Sequence, residues 1–120
     1  KDKFKKNIII INGGFLNTID YDEVLKKVDG IMIGREAYKN PWIFNQDKDL
    51  NFEMKKRIIE KYLSILEKNF KKQNFNFKAL THLYYIFNNH PGSKRWKQLV
   101  NISIRNKKLE CLFNYLRYNK

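Results

Sequence analysis

The chain has 120 residues, about one domain's length, with twenty-five Lys/Arg against twelve Asp/Glu and a formal net charge of +13. Its single cysteine, Cys111, excludes an internal disulfide and a cysteine-rich zinc site, and fits a reducing, cytoplasmic setting. No apolar run approaches the roughly 18–20 residues of a membrane span. The charge is uneven: residues 1–46 hold eight Lys/Arg and six Asp/Glu, while residues 47–120 hold seventeen and six. A near-neutral part followed by a basic part points to a polyanionic partner for the second. Twenty lysines against five arginines, with fifteen Asn and fourteen Ile, also fit the coding bias of an AT-rich genome, so composition alone does not identify that partner.

The opening KDKFKKNIIII is basic and then apolar, as a signal peptide can be. The apolar run is only four residues long, however, and Asn12-Gly13-Gly14 stops it. Four consecutive isoleucines at 8–11 predict a strand buried on both faces, as in parallel sheets. Thr18 or Asp20 can cap a helix through Glu23, Val24, Leu25 and Val28. Asp29-Gly30 breaks that helix, and Ile31, Met32 and Ile33 form a second short buried strand ended by Gly34. Residues 7–34 thus read as one strand–helix–strand unit. Residues 36–45 read as a short helix and turn, punctuated by Asn40-Pro41 and anchored by Trp42, Ile43 and Phe44.

The polar segment 45–51 reads as a linker, which divides the chain into 1–46 and 47–120. Everything after it is helical in pattern. Residues 52–70 place Ile58, Ile59, Tyr62, Leu63, Leu66 and Phe70 on one stripe. Residues 77–88 repeat the pattern with Leu80, Leu83, Tyr84 and Phe87. After the turn His90-Pro91-Gly92, Ser93 is a candidate N-cap for a helix carrying Trp96, Leu99, Val100 and Ile104 and ending at Asn106. A last helix, about 108–118, uses Leu109, Leu112, Phe113 and Leu116. The fold class expected is α/β plus all-α: a strand–helix–strand piece followed by a small helical bundle.

The two strand ends carry the chemistry. A phosphate needs N–H donors at close range and positive charge nearby, and glycine lets the backbone approach it. Asn12, Gly13 and Gly14 follow the first strand; Gly34 and Arg35 follow the second and open the short helix. In α/β barrels the usual phosphate site lies after the seventh and eighth strands, beside a short extra helix. Such a barrel needs roughly 250 residues. This chain has room for two of the strands, so it is expected to be the C-terminal piece of something larger. In the basic part, Lys94, Arg95 and Lys97 surround Trp96 at a helix N-terminus. Cations there oppose the helix dipole, a placement that makes sense if an anion such as an RNA phosphate docks.

INGGF at 11–15 and DGIMIGREAYKNPWIF at 29–44 resemble the C-terminal barrel motifs of tRNA-dihydrouridine synthases, especially the bacterial A subfamily. THLYYIFNNHPGSKRWKQL at 81–99 is similar to that subfamily's helical-domain motif: Arg-His, an apolar turn, Phe, then Pro-Gly-Ala-Arg and a Trp. The resemblance implies an oxidoreductase that uses NADPH and FMN to reduce a D-loop uridine of tRNA to 5,6-dihydrouridine. It implies that residues 1–46 are the C-terminal fragment of an FMN-binding TIM barrel and that 47–120 are a helical tRNA-binding domain. It assigns the FMN phosphate to Asn12, Gly13, Gly14, Gly34 and Arg35. Two family arginines that contact tRNA correspond to Lys94 and Lys97, with Arg95 between them; lysine keeps the charge but loses the planar fork.

The resemblance also implies a cytoplasmic enzyme that is monomeric at full length, with tRNA as partner and neither metal nor membrane. The family's proton-donating cysteine lies in earlier barrel strands, so no catalytic residue is assigned here and this piece alone is expected to be inactive. Cys111 reads as a packed thiol and Trp96 as core. His82 matches a family histidine, whereas Thr81 stands where arginine is usual; a lone His on such a segment reads as structural. Lys71-Lys72 and Lys107-Lys108 read as solvated. Two alternatives stay open: a non-catalytic basic RNA-binding module derived from such an enzyme, and a piece of another phosphate-binding flavin barrel.

Overall fold

The computed structural model describes residues 3–14, 21–45, 50–70 and 75–119. The chain divides into two compact units, Lys1–Gln46 and Asp47–Lys120. The expected caps Thr18 and Asp20, most of the 45–51 linker and Lys71-Lys72 lie outside the described residues.

The first unit is α/β. Strand β1 (Ile10–Asn12) pairs in parallel with β2 (Gly30–Met32), in the register Ile10↔Gly30, Ile11↔Ile31, Asn12↔Met32. Parallel neighbours require a crossover, and helix α1 (Tyr21–Leu25) lies on it. This helix stops short of Val28, whose N–H still reaches the Val24 carbonyl at 3.1 Å. Asp29 fixes the start of the ladder. Its backbone N–H donates to the Ile9 carbonyl at 2.9 Å, and its Oδ2 accepts from the Ile9 N–H at 3.0 Å. After β2 come helix α2 (Arg35–Lys39) and a 3₁₀ turn, Pro41–Phe44, with Pro41 at its start, where a missing N–H costs nothing.

The sheet is not buried as the isoleucine run predicts. Ile8 is 82% exposed, Ile10 62% and Met32 56%, and Ile43 is the one buried hydrophobic residue among those described in this unit. A parallel sheet is ordinarily covered on both faces. Among the described residues, two strands and two five-residue helices do not supply that cover. Phe44, expected as an anchor, is also exposed.

The second unit is helical and holds the core. Helix α3 (Phe52–Phe70) starts at Asn51, whose Oδ1 accepts from the Met54 N–H at 3.0 Å, an N-cap that satisfies an otherwise orphan donor. Its buried stripe is Lys56, Ile59, Leu63 and Leu66; Ile58 and Phe70, expected on the stripe, are exposed. Lys56 is buried because its ammonium is satisfied: Nζ donates to the Asn119 carbonyl at 2.7 Å, pairs with Glu53 and lies 5.1 Å from the Phe52 ring centroid.

The expected α-helix over 77–88 is instead a 3₁₀ segment, Phe77–Leu83, followed by turns. Three-residue bonds run on to the next helix, including Tyr84 to Thr81, Ile86 to Leu83 and His90 to Phe87. Thr81 Oγ1 also donates to the Lys78 carbonyl at 2.7 Å. Aromatic, β-branched and Asn residues dominate this stretch, and all of them favour α-helix weakly. The apolar spacing still works, because Leu80, Leu83 and Phe87 are buried.

Helix α4 (Ser93–Asn106) is capped by Gly92 at φ 86°, not by Ser93; the Trp96 N–H bonds the Gly92 carbonyl at 2.9 Å. Helix α5 is Glu110–Tyr118. Helix α4 packs on α5 and on the 3₁₀ segment, and α3 packs on α5. Leu63, Leu80, Phe87, Trp96, Val100 and Leu112 are fully shielded from solvent. Burying each such side chain stabilises by about 1.5–3 kcal/mol. Trp96 is the hub. Its ring meets Phe87 edge-on at 4.9 Å and lies 5.3 Å from Tyr115, and its Nε1–H donates to the Leu83 carbonyl at 2.7 Å. At the rim, Lys55 Nζ lies 3.2 Å from His90 Nε2, an arrangement that suits a neutral imidazole. Burial, and then the Lys55 charge, hold the His90 pKa below the ordinary histidine value. Among the described residues, no helix is long and apolar enough to cross a membrane.

Gly92 joins backbone conformation to packing. A Cβ there would take a left-handed φ and sit 2.7 Å from Tyr115 Oη, which hydrogen-bonds the Gly92 carbonyl. The left-handed conformation alone costs a side-chain-bearing residue about 1–2 kcal/mol. Gly92→Ala is therefore expected to lower the melting temperature of the helical unit by about 5 °C or more, read by circular dichroism. An unchanged melting temperature would refute this role for Gly92.

Candidate functional site

The parallel register places the two strand ends side by side. Asn12 pairs with Met32, so the residues after each strand leave the sheet together at its C-terminal end. Asn12, Gly13, Gly14, Gly34 and Arg35 all line one open cleft of about 490 Å³, with Met32, Ile33, Glu36 and Lys39.

Two of the glycines are fixed by the backbone. Gly13 and Gly14 hold φ at 107° and 75°, values that a side chain disfavours. Gly34 differs: its φ is −100°, and a Cβ built there meets no protein atom within 4 Å. Packing within the chain therefore does not require a glycine at 34. The missing side chain leaves backbone open on the cleft, which is what a ligand in contact with the main chain needs. Arg35 is exposed and, among the described residues, pairs with no carboxylate. Two cations, Arg35 and Lys39, stand against one carboxylate, Glu36, so the lining favours an anion. Lys39 lies one helical turn beyond Arg35, a spacing that could have flagged it in the sequence.

In the helical unit, Lys94, Arg95 and Lys97 occupy the first turns of α4. The helix separates them. Lys94 and Lys97, three residues apart, share a side. Arg95 is turned about 100° from Lys94 and lines a cleft beside α5 with Leu99, Cys111 and Tyr115. The Lys97 ammonium lies over two rings, 4.9 Å from the Tyr85 centroid and 5.9 Å from that of Tyr84. No sequence signal marked this contact, because the partners lie twelve and thirteen residues apart across the His90-Pro91-Gly92 turn.

None of these three cations pairs with a carboxylate among the described residues. The sequence gives the reason: no Asp or Glu stands between Glu67 and Glu110, a stretch that holds ten Lys/Arg. Trp96 is core, as its hydrogen bond and full burial require. His82 is exposed on the 3₁₀ segment. The Cys111 thiol is half-buried, with its Sγ 3.1 Å from Ser103 Oγ and 3.7 Å from the Leu99 carbonyl. Among the described residues, no three His, Cys, Asp or Glu come together as metal ligands.

Comparison with known proteins places the chain in a family. The dihydrouridine synthase (Dus) family profile matches residues 1–116. The tRNA-dihydrouridine(20/20a) synthase of Synechocystis sp. is 31% identical over 109 residues, covering 86% of this chain and 33% of the relative. The Vibrio parahaemolyticus protein of the same name is 32% identical over 106 residues, covering 83% of this chain and 32% of that one. The Haemophilus ducreyi protein is 30% identical over 104 residues, again covering 32% of its own length. The chain thus spans about a third of the length of the curated relatives it matches. With nearly every residue inside the family match, the chain belongs to the dihydrouridine synthase family.

Proposed function

We propose that this chain is the C-terminal part of a flavin-dependent tRNA-dihydrouridine synthase, holding the FMN phosphate with its first unit and tRNA with its second. The observation that carries the reading is the shared cleft: five residues from two strand ends, twenty positions apart, line one opening, and the arginine among them pairs with no carboxylate among the described residues. Glycine backbone at 13, 14 and 34 can turn N–H groups toward phosphate oxygens, and Arg35 adds a fixed charge with a bidentate fork. The flavin, when bound, supplies the hydride chemistry. The residues of this chain grip its phosphate end and leave the ring to the rest of a TIM barrel. The same assembly covers the exposed Ile8, Ile10, Ile11 and Met32 side chains with further strands, which accounts for a parallel pair open to solvent.

Reduction of uridine needs groups outside this chain. Cys111 belongs to the helical unit and spends its polarity on Ser103 and the Leu99 carbonyl, so it takes no part. The relatives' names specify positions 20 and 20a, and we extend the same D-loop target to the enzyme that contains this chain. On the helical unit, Lys94 and Lys97, which pair with no carboxylate among the described residues, meet backbone phosphates; their position at a helix N-terminus, unfavourable for the helix alone, becomes favourable once an anion docks.

Two measurements test the reading. Amide NMR of the 120-residue chain is expected to show FMN shifting Gly13, Gly14 and Gly34, with riboflavin leaving them in place. Arg35→Ala is expected to weaken the FMN effect about tenfold, as loss of a charge-assisted contact does. Equal shifts from FMN and riboflavin would remove the phosphate role. For tRNA, Lys94→Gln with Lys97→Gln is expected to lower affinity and to flatten the slope of log K against log salt by about two. An unchanged slope in a salt series would take both residues out of the interface.

A further inference from the structure

We propose that Tyr84, Tyr85 and Lys97 form a nucleotide notch that takes one unpaired RNA nucleotide, its base against the tyrosine pair and its phosphate on Lys97 Nζ. The proposal rests on the reading that the helical unit binds tRNA, and it adds a site of a different kind from the phosphate contacts given above.

The rings come first. Tyr84 and Tyr85 are consecutive, half-buried residues just past the 3₁₀ segment, with centroids 5.5 Å apart and planes at 70°. Their placement follows from the core. Leu83 beneath them accepts the Trp96 Nε1–H, and Phe87 packs on the Trp96 ring, so both ends of the tyrosine turn are pinned to α4. Asn101 Nδ2 donates to Tyr84 Oη at 2.9 Å and fixes that ring from the α4 side.

The cation comes second. Lys97 lies over both rings, at 4.9 and 5.9 Å, contacts worth about 0.5–1 kcal/mol each at an exposed site. A lysine already restrained in this way loses less freedom when it meets a phosphate. Its ammonium still has three donors, and no carboxylate among the described residues competes for them.

The stripe comes third. Lys94, Lys97 and Asn101 follow i, i+3, i+7 spacing on α4, opposite the buried Trp96, Leu99, Val100 and Ser103. Helix α4 contains no acid at all. A cation, an amide and two rings on one acid-free face suit a polyanion that carries flat bases. The base must be unpaired, because a paired base keeps both faces in its own stack, and base–aromatic stacking tolerates any base.

The test uses the 120-residue chain and two RNA probes of equal length, a D-arm hairpin and a fully paired duplex, read by fluorescence anisotropy. Tyr85→Leu is expected to weaken hairpin binding on the order of tenfold, with the salt slope and duplex binding unchanged; Tyr85→Phe, which keeps a ring, is expected to restore it. In the unsubstituted chain, the Tyr85 ring protons are expected to move upfield on adding hairpin but not duplex, a readout independent of how the Leu variant folds. Hairpin binding that survives Tyr85→Leu, or ring protons that stay in place, would overturn the notch. If the lysine double variant still flattens the salt slope, the tRNA reading stands without the notch; if it does not, that reading falls first. Displacement of the hairpin by polyglutamate as effectively as by RNA of equal charge would also overturn the proposal, because it would show a site for any polyanion.

Discussion

The parallel pairing of β1 with β2 is the constraint on which the first unit depends. Parallel register sends both strand ends out at the same end of the sheet, and only that arrangement brings Asn12-Gly13-Gly14 beside Gly34-Arg35. Antiparallel pairing would have put them at opposite ends. The register is held by few groups, which makes Asp29 consequential: its side chain and its own N–H both bond to Ile9 and start the ladder one residue ahead of the first paired position. The unit is otherwise thinly packed, with Ile8, Ile10 and Ile11 exposed. Its geometry is set by hydrogen bonds and crossover topology, not by a core of its own.

The helical unit works in the opposite way. There a dense aromatic centre sets the geometry, and the surface chemistry follows. Trp96 ties α4 to the 3₁₀ segment through its hydrogen bond to the Leu83 carbonyl, to the turns after it through the Phe87 ring, and to α5 through the Tyr115 ring. Gly92 and Tyr115 lock the start of α4 against α5. Burying Trp96 orients the whole first turn of α4, so Lys94 and Lys97 emerge on one side and Arg95 on another. No acid stands in the sequence between Glu67 and Glu110, and none of those cations pairs with a carboxylate among the described residues. Stability and charge are thus divided between opposite sides of the same helix.

Much of this was legible in the sequence, for physical reasons that differ by element. The bounds of α3 followed from apolar spacing alone, since a stripe along nineteen residues has no other regular solution. Gly13 and Gly14 were legible because a left-handed turn at a strand end is a demand on the backbone that local sequence expresses directly, whereas Gly34, at φ −100°, answers no such demand. The isoleucine run misled. It reports the environment a strand is suited to, not the cover the described residues provide, and β-branched content cannot distinguish the two. The segment 77–88 misled in the other direction: its apolar spacing suits one buried face whether the backbone closes every third or every fourth bond, and weak helix formers tipped it to the tighter geometry. Ser93 is a favoured cap, but Gly92 holds the left-handed conformation that the turn needs. The ring contacts of Lys97 could not be read at all, because they depend on how a turn folds back on a helix.

What ties these parts together is the claim that two separate strand ends make one anion site. An anomalous-scattering soak addresses it without any substitution. In crystals of the chain soaked in selenate, the anomalous peak is expected within hydrogen-bond reach of the Gly13, Gly14 and Gly34 amides and the Arg35 guanidinium. Selenate found only along α4, or a crystal structure with Gly13 and Gly34 at opposite ends of the sheet, would contradict the claim.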